Sequence, residues 1–104
     1  MAVIAVLTNL PDSESAFNLA RHIVQLRLAA CANVLPPVRS FYRWEGRNEE
    51  STEVPVLMKS TRARYGELER AIRERHPYDL PEIVAWPIEG DAGYLAWVEA
   101  ECAP

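Results

Sequence analysis

Residues 32–60 read ANVLPPVRSFYRWEGRNEESTEVPVLMKS, and this stretch decides the fold. From Ala32 to Trp44 it is β-like: Val34, Leu35, Val38, Phe41, Tyr42 and Trp44 suit a pleated, half-buried surface. Pro36-Pro37 interrupts it, and proline donates nothing to a ladder, so this strand bends or lies at an edge. Glu45-Gly46-Arg47-Asn48 reads as a turn. The return strand is Glu53–Ser60, with Val54, Val56, Leu57 and Met58 and a proline, Pro55, near its start. The result is a hairpin with a first strand of about 13 residues, against an ordinary 5–6.

Working outward, Val3–Leu7 is continuously apolar and ends in the turn cluster Asn9-Leu10-Pro11-Asp12, as a strand buried on both faces does. Asp12 reads as an N-cap, with Glu14 in the first turn of a helix. Ala16, Leu19, Ala20, Ile23 and Leu26 form its apolar stripe, and Arg21, His22, Gln25 and Arg27 fall toward solvent. Past the hairpin, Ser60 or Thr61 caps a second helix with the stripe Tyr65, Leu68 and Ile72, which Pro77 ends after His76. Glu82–Ile88, carrying Pro87, reads as an edge strand. Asp91 caps a last helix with Tyr94, Leu95 and Val98 on one side; Tyr78, Trp86, Tyr94 and Trp97 stand at core-like spacing.

The order is β-α-β-β-α-β plus a terminal helix. That is an α+β, ferredoxin-like antiparallel sheet with helices on one face, a C-terminal helix and a long hairpin arm. Its first and third strands are central. The 104 residues suit one domain, taken as 1–104. A net charge of −4 argues against a nucleic-acid or anionic-membrane footprint. Ala2–Leu7 is far short of the roughly 20 apolar residues of a membrane span, with no basic segment before it. Cys31 and Cys102 are too few to staple a secreted mini-domain, so the expected compartment is the cytoplasm and the thiols are reduced.

Two covering helices leave the other sheet face bare, yet the strands carry apolar residues on both parities. A protruding ribbon bearing Phe41, Tyr42 and Trp44 is unstable alone and prone to pair with other edges. Self-association through these three residues is the economical answer.

The chemistry of the chain is sparse. Its four glycines, Gly46, Gly66, Gly90 and Gly93, make no phosphate-binding fingerprint. A hydrolase on this fold needs a phosphate cradle after the first strand, and Thr8-Asn9-Leu10-Pro11 is a poor one. No metal-ligand spacing is present. His76 is the better metal candidate, as one imidazole in a site shared between subunits, and Cys31 is isolated. Arg39, Arg43, Lys59 and Arg62, on the hairpin and its junctions, define the alternative of a small anionic metabolite held between subunits.

Several motifs then run in order along the chain: Arg27-Leu28-Ala29-Ala30-Cys31-Ala32-Asn33, Tyr42-Arg43-Trp44-Glu45-Gly46, Lys59-Ser60-Thr61, His76-Pro77-Tyr78-Asp79-Leu80-Pro81-Glu82 and Tyr94-Leu95-Ala96-Trp97. Together they resemble the CutA divalent-cation tolerance family over essentially the whole length. The resemblance implies a small cytoplasmic homotrimer whose hairpins embrace neighbouring subunits, an architecture shared with PII-type signalling proteins. It implies tolerance to copper and other divalent cations, no enzymatic activity and no required cofactor. Some bacterial members carry a cysteine at the end of the first strand and two adjacent histidines before the Pro-Tyr. Here these positions hold Thr8-Asn9 and Arg75-His76, so only His76 matches, which implies weak binding completed by symmetry copies or by Cys31.

Overall fold

The computed structural model describes residues 2–104. Its elements are β1 (Val3–Leu10), α1 (Ser13–Gln25), β2 (Cys31–Val34), β3 (Val38–Trp44), β4 (Arg47–Thr61), α2 (Tyr65–Arg75), β5 (Val84–Pro87) and α3 (Ala92–Glu101). The sheet is antiparallel in the order β2-β4-β1-β5, with β3 paired to the outer half of β4. The expected first and third strands, β1 and β4, are central. Asp12 caps α1, its carboxylate accepting from the Ser15 N–H at 2.8 Å, and Asp91 caps α3 in the same way through Tyr94 N–H at 2.9 Å. Of the two candidates before α2, Thr61 is the cap: its hydroxyl accepts from Arg64 N–H across a 3-10 turn, Arg62–Arg64.

Four expectations are corrected. The 32–44 strand is two strands, because Leu35-Pro36-Pro37 breaks the ladder opposite Pro55. Leu35 N–H reaches Pro55 O at 2.9 Å, and Pro55 has no N–H to return. Pro55 itself stands within the sheet, paired with Asn9 of β1. The turn is tighter than expected: Glu45 and Gly46 alone connect β3 to β4, at φ +50° and +80°. Both central residues in the left-handed region make the twist that a two-residue hairpin needs. Finally, β4 begins at Arg47 rather than Glu53, and β5 spans only Val84–Pro87.

Alternation assigns the faces. Ile4, Val6 and Leu10 of β1 and Val54, Val56 and Met58 of β4 share one face, packed with Leu19 and Ile23 of α1 and Leu68 and Ile72 of α2. Val3 has the other parity, and its cluster partners Val98 and Cys102 belong to α3 and its C-terminal cap. The terminal helix thus covers one end of the second face, and Cys102 is a buried core residue. Arg27 is not simply solvated either. At φ +60°, it sends its guanidinium to the carbonyls of Ala100 and Glu101, 3.1 and 3.0 Å away, capping α3 with positive charge. Leu26 leaves the α1 stripe and is exposed. Three of the four aromatics read as core, Trp86, Tyr94 and Trp97, are exposed, because they lie on or above the face that one chain does not cover.

Candidate functional groove beside the hairpin arm

The β3–β4 ribbon makes the molecule long, 44 × 24 × 23 Å. Register places Val38, Ser40, Tyr42 and Trp44 opposite Glu53, Ser51, Glu49 and Arg47 on one face of the ribbon. Glu53 shares its parity with Leu57 and Lys59, so this face continues the uncovered face of the sheet. On the opposite face the polar groups are paired within the chain, Arg39 with Glu50 at 2.9 Å and with Thr52, and Arg43 with Asn48 and Gly46 O, while Phe41 between them is exposed.

Between the ribbon and the loop after α2 lies a groove of about 680 Å³. Tyr42 and Trp44 line it from the ribbon, Tyr78, Asp79, Leu80 and Glu82 from the loop. Two hydrogen bonds tie its sides together. The Tyr78 hydroxyl donates to Glu53 Oε2 at 3.1 Å, and Asn9 Nδ2 donates to Glu82 Oε1 at 3.1 Å. Burial and then the Glu53 carboxylate push the Tyr78 phenol up to about 12, so it remains a donor at neutral pH.

His76 anchors the loop at its root. The Asn9 carbonyl can only accept, so Nε2 carries the proton in the 2.7 Å contact to it. Nδ1 then accepts from Tyr78 N–H at 3.2 Å. Both nitrogens of the buried, neutral ring are engaged with backbone, and a metal would have to displace one of these bonds. Burial holds the imidazole below its ordinary pKa, against a smaller pull upward from the Asn9 bond and from Glu53.

The structure does not bring His76 and Cys31 together. Cys31 opens β2 opposite Lys59, whereas His76 meets β1 at Asn9, four ladder positions from Ala5, the β1 partner of Lys59; that is roughly 13 Å along the sheet. The Cys31 sulfur instead lies 3.4 Å from the Tyr94 hydroxyl. That contact, and then burial, raises the Tyr94 phenol. Among the described residues no three His, Cys, Asp or Glu side chains converge as a metal-binding group. The four basic candidates do not converge in one chain either. Arg39 pairs with Thr52, seven residues before Lys59 on β4, or roughly 23 Å, and Arg62 lies beyond Lys59.

Sequence reasoning missed the groove itself. Asn9 and His76–Glu82 each stand out in the sequence, but only the folded chain joins segments 67 residues apart.

Residues 4–101 match the model of the CutA1 divalent ion tolerance protein family. The chain belongs to this family. It is 40% identical over 98 residues to the divalent-cation tolerance protein CutA of Pectobacterium atrosepticum, spanning 93% of this chain and 89% of that one. Among solved structures it is similar to the divalent cation tolerance protein CutA1 of Thermus thermophilus, with TM-score 0.94 and 39% identity over 97% of this chain and 99% of that one. It is also similar to CutA of Xylella fastidiosa, with TM-score 0.95 and 35% identity over 99% of this chain and 100% of that one. Both the ribbon and the His76–Glu82 loop therefore sit within a CutA fold. Among the described residues no helix is long and apolar enough to cross a membrane.

Proposed function

We propose that this CutA chain works as an assembled, non-enzymatic protein of divalent-cation tolerance. In this reading it is a cytoplasmic homotrimer whose arms clasp neighbouring subunits and whose inter-subunit clefts hold divalent cations, copper among them, weakly. The ribbon carries the reading. Tyr42 and Trp44 are exposed on the ribbon face that continues the sheet face of Val84 and Trp86, which are exposed too, as is Trp97 of α3, and Phe41, on the ribbon's other face, is 72% exposed. An isolated two-stranded ribbon is marginal in water, and so many exposed large apolar side chains on a small protein are the signature of a covered interface. Clefts at the seams would multiply the donors that one chain holds only singly. The carboxylates Glu49, Glu53, Asp79 and Glu82 line the groove beside the ribbon and supply the hard oxygen atoms such ions take. The unpaired Cys31 and Cys102 fit a reducing compartment. The reading needs no resident cofactor. The alternative of a PII-like sensor has less support, since Arg39 and Arg43 are already paired within the chain.

Calorimetric titration of copper(II) into the protein and its His76→Ala variant tests the cation half. The expected result is weak, saturable heat in the wild type. Loss of that heat in the variant assigns the imidazole to the site, and equal heat assigns the carboxylates. No heat at roughly millimolar copper removes direct cation binding from the account.

A further inference from the structure

We infer that Arg27 is the positioning residue for α3 and, through α3, for the assembly; the inference deepens the reading of an assembled chain and rests on it. Arg27 stands one residue past Leu26, the C-cap of α1, with φ +60°. Its N–H reaches Val24 O at 3.0 Å, and Leu28 N–H reaches Ile23 O at 3.1 Å. These bonds close α1 in the arrangement whose left-handed residue is usually glycine and sometimes asparagine. A residue with a Cβ is strained in that backbone, because the Cβ crowds the following carbonyl oxygen. Such strain persists where the surroundings over-determine it. Here the surroundings are the end of another helix. The guanidinium crosses to α3, where Nε donates to Glu101 O at 3.0 Å and Nη2 donates to Ala100 O at 3.1 Å. Both carbonyls belong to the last turn, which points acceptors and negative charge outward, and α3 has no basic residue of its own to meet them. Glycine at position 27 would close α1 equally well and leave α3 untied. Only the tie to α3 calls for arginine.

α3 depends on that tie because its packing is thin. Among the described residues Val98 is its one buried side chain, in a small cluster with Val3 and Cys102 apart from the main core. Its outer side carries Tyr94 and Trp97, both exposed, with ring centroids 5.6 Å apart. A helix that is apolar on both sides is a helix with cover on both sides. Continuity names the second cover as another copy of this chain. Tyr94 touches Cys31, which shares a sheet face with Lys59 and Trp86, and that face runs on into the ribbon's Tyr42 and Trp44. The ring pair therefore extends the surface that self-association buries. Two charge-assisted bonds from one planar fork fix where α3 ends and how it is turned, so the rings meet a neighbour already in place.

Arg27→Gly and Arg27→Asn test this by sedimentation from micromolar to nanomolar protein and by amide exchange on the assembled species. Both residues suit the left-handed backbone and neither reaches α3, so the subunit keeps its fold. The expected result is dissociation at about tenfold higher concentration than the wild type, with α3 amides exchanging about tenfold faster. Amides of β1, β4 and α1 should keep their wild-type rates. A role confined to closing α1 would move neither reading. Wild-type assembly or wild-type α3 exchange in either variant overturns the inference, and so does faster exchange spread over all the elements. A wild type that sediments as one chain removes the assembly reading and this inference with it. An assembled wild type with equally assembled variants removes only this inference.

Discussion

The two halves of β4 live in different solvents. Val54 to Met58 and Ser60-Thr61 pack between α1, α2 and the neighbouring strands, with only Leu57 and Lys59 partly open on the other face. Arg47 to Glu50 and Thr52 face water, and the strand opposite them is largely exposed too. One continuous strand thus belongs to a self-sufficient body and to a ribbon without a core. The body satisfies itself by burial. The ribbon satisfies its backbone through β3, and the charges of one face through Arg39–Glu50 and Arg43–Asn48, but leaves Tyr42 and Trp44 uncovered on one face and Phe41 on the other. A chain that commits seven ladder pairs to such an arm gains little stability from it as a monomer.

Substitutions on either side sharpen the contrast. The largest effect belongs to the body: Met58→Ala, at a fully buried position, should cost about 2–5 kcal/mol in urea unfolding. At the tip of the arm, Gly46→Ala meets no atom within 4 Å, so its cost is the left-handed backbone alone, about 1 kcal/mol. A loss as large as that of Met58→Ala would mean the ribbon is part of the folding core. The junction between the halves should respond to pH. The fold holds His76 neutral, with its pKa below the ordinary 6.5. Its contribution is therefore complete above the unfolded value and drains as pH falls below 6.5 through the folded value, where the unfolded chain takes up the proton first. Urea midpoints from about pH 7.5 to 5 should fall less steeply in His76→Gln than in the wild type; parallel curves would remove His76 from that dependence. Smallest of all, Arg39→Ala breaks an exposed pair on the ribbon and should cost under about 1 kcal/mol, an effect that added salt diminishes.

Much of this contrast is legible in the sequence, and the limits have physical causes. The cap Asp12, the stripe Leu19–Ile23 and the alternation Val54-Val56-Met58 are local patterns, and each is found in the fold. Pro36-Pro37 announces a disturbance, but whether a strand bends or breaks depends on Pro55 standing opposite, which is a matter of register. Trp86, Tyr94 and Trp97 have core spacing because they face the side of the sheet that only α3 partly covers; spacing alone cannot name what covers the rest. His76 is legible as a special position at a helix end. That its ring is clamped between Asn9 O and Tyr78 N–H depends on a contact 67 residues away. The groove is invisible for the same reason, although several of its lining residues belong to motifs that the sequence displays.

Sedimentation equilibrium of the wild-type protein at micromolar concentration tests the central claim most directly, since it asks whether the uncovered face of the ribbon is buried against other copies of the chain. The account predicts a single species at three times the chain mass, with no free protomer on dilution through that range. A stable particle of one chain mass would contradict it.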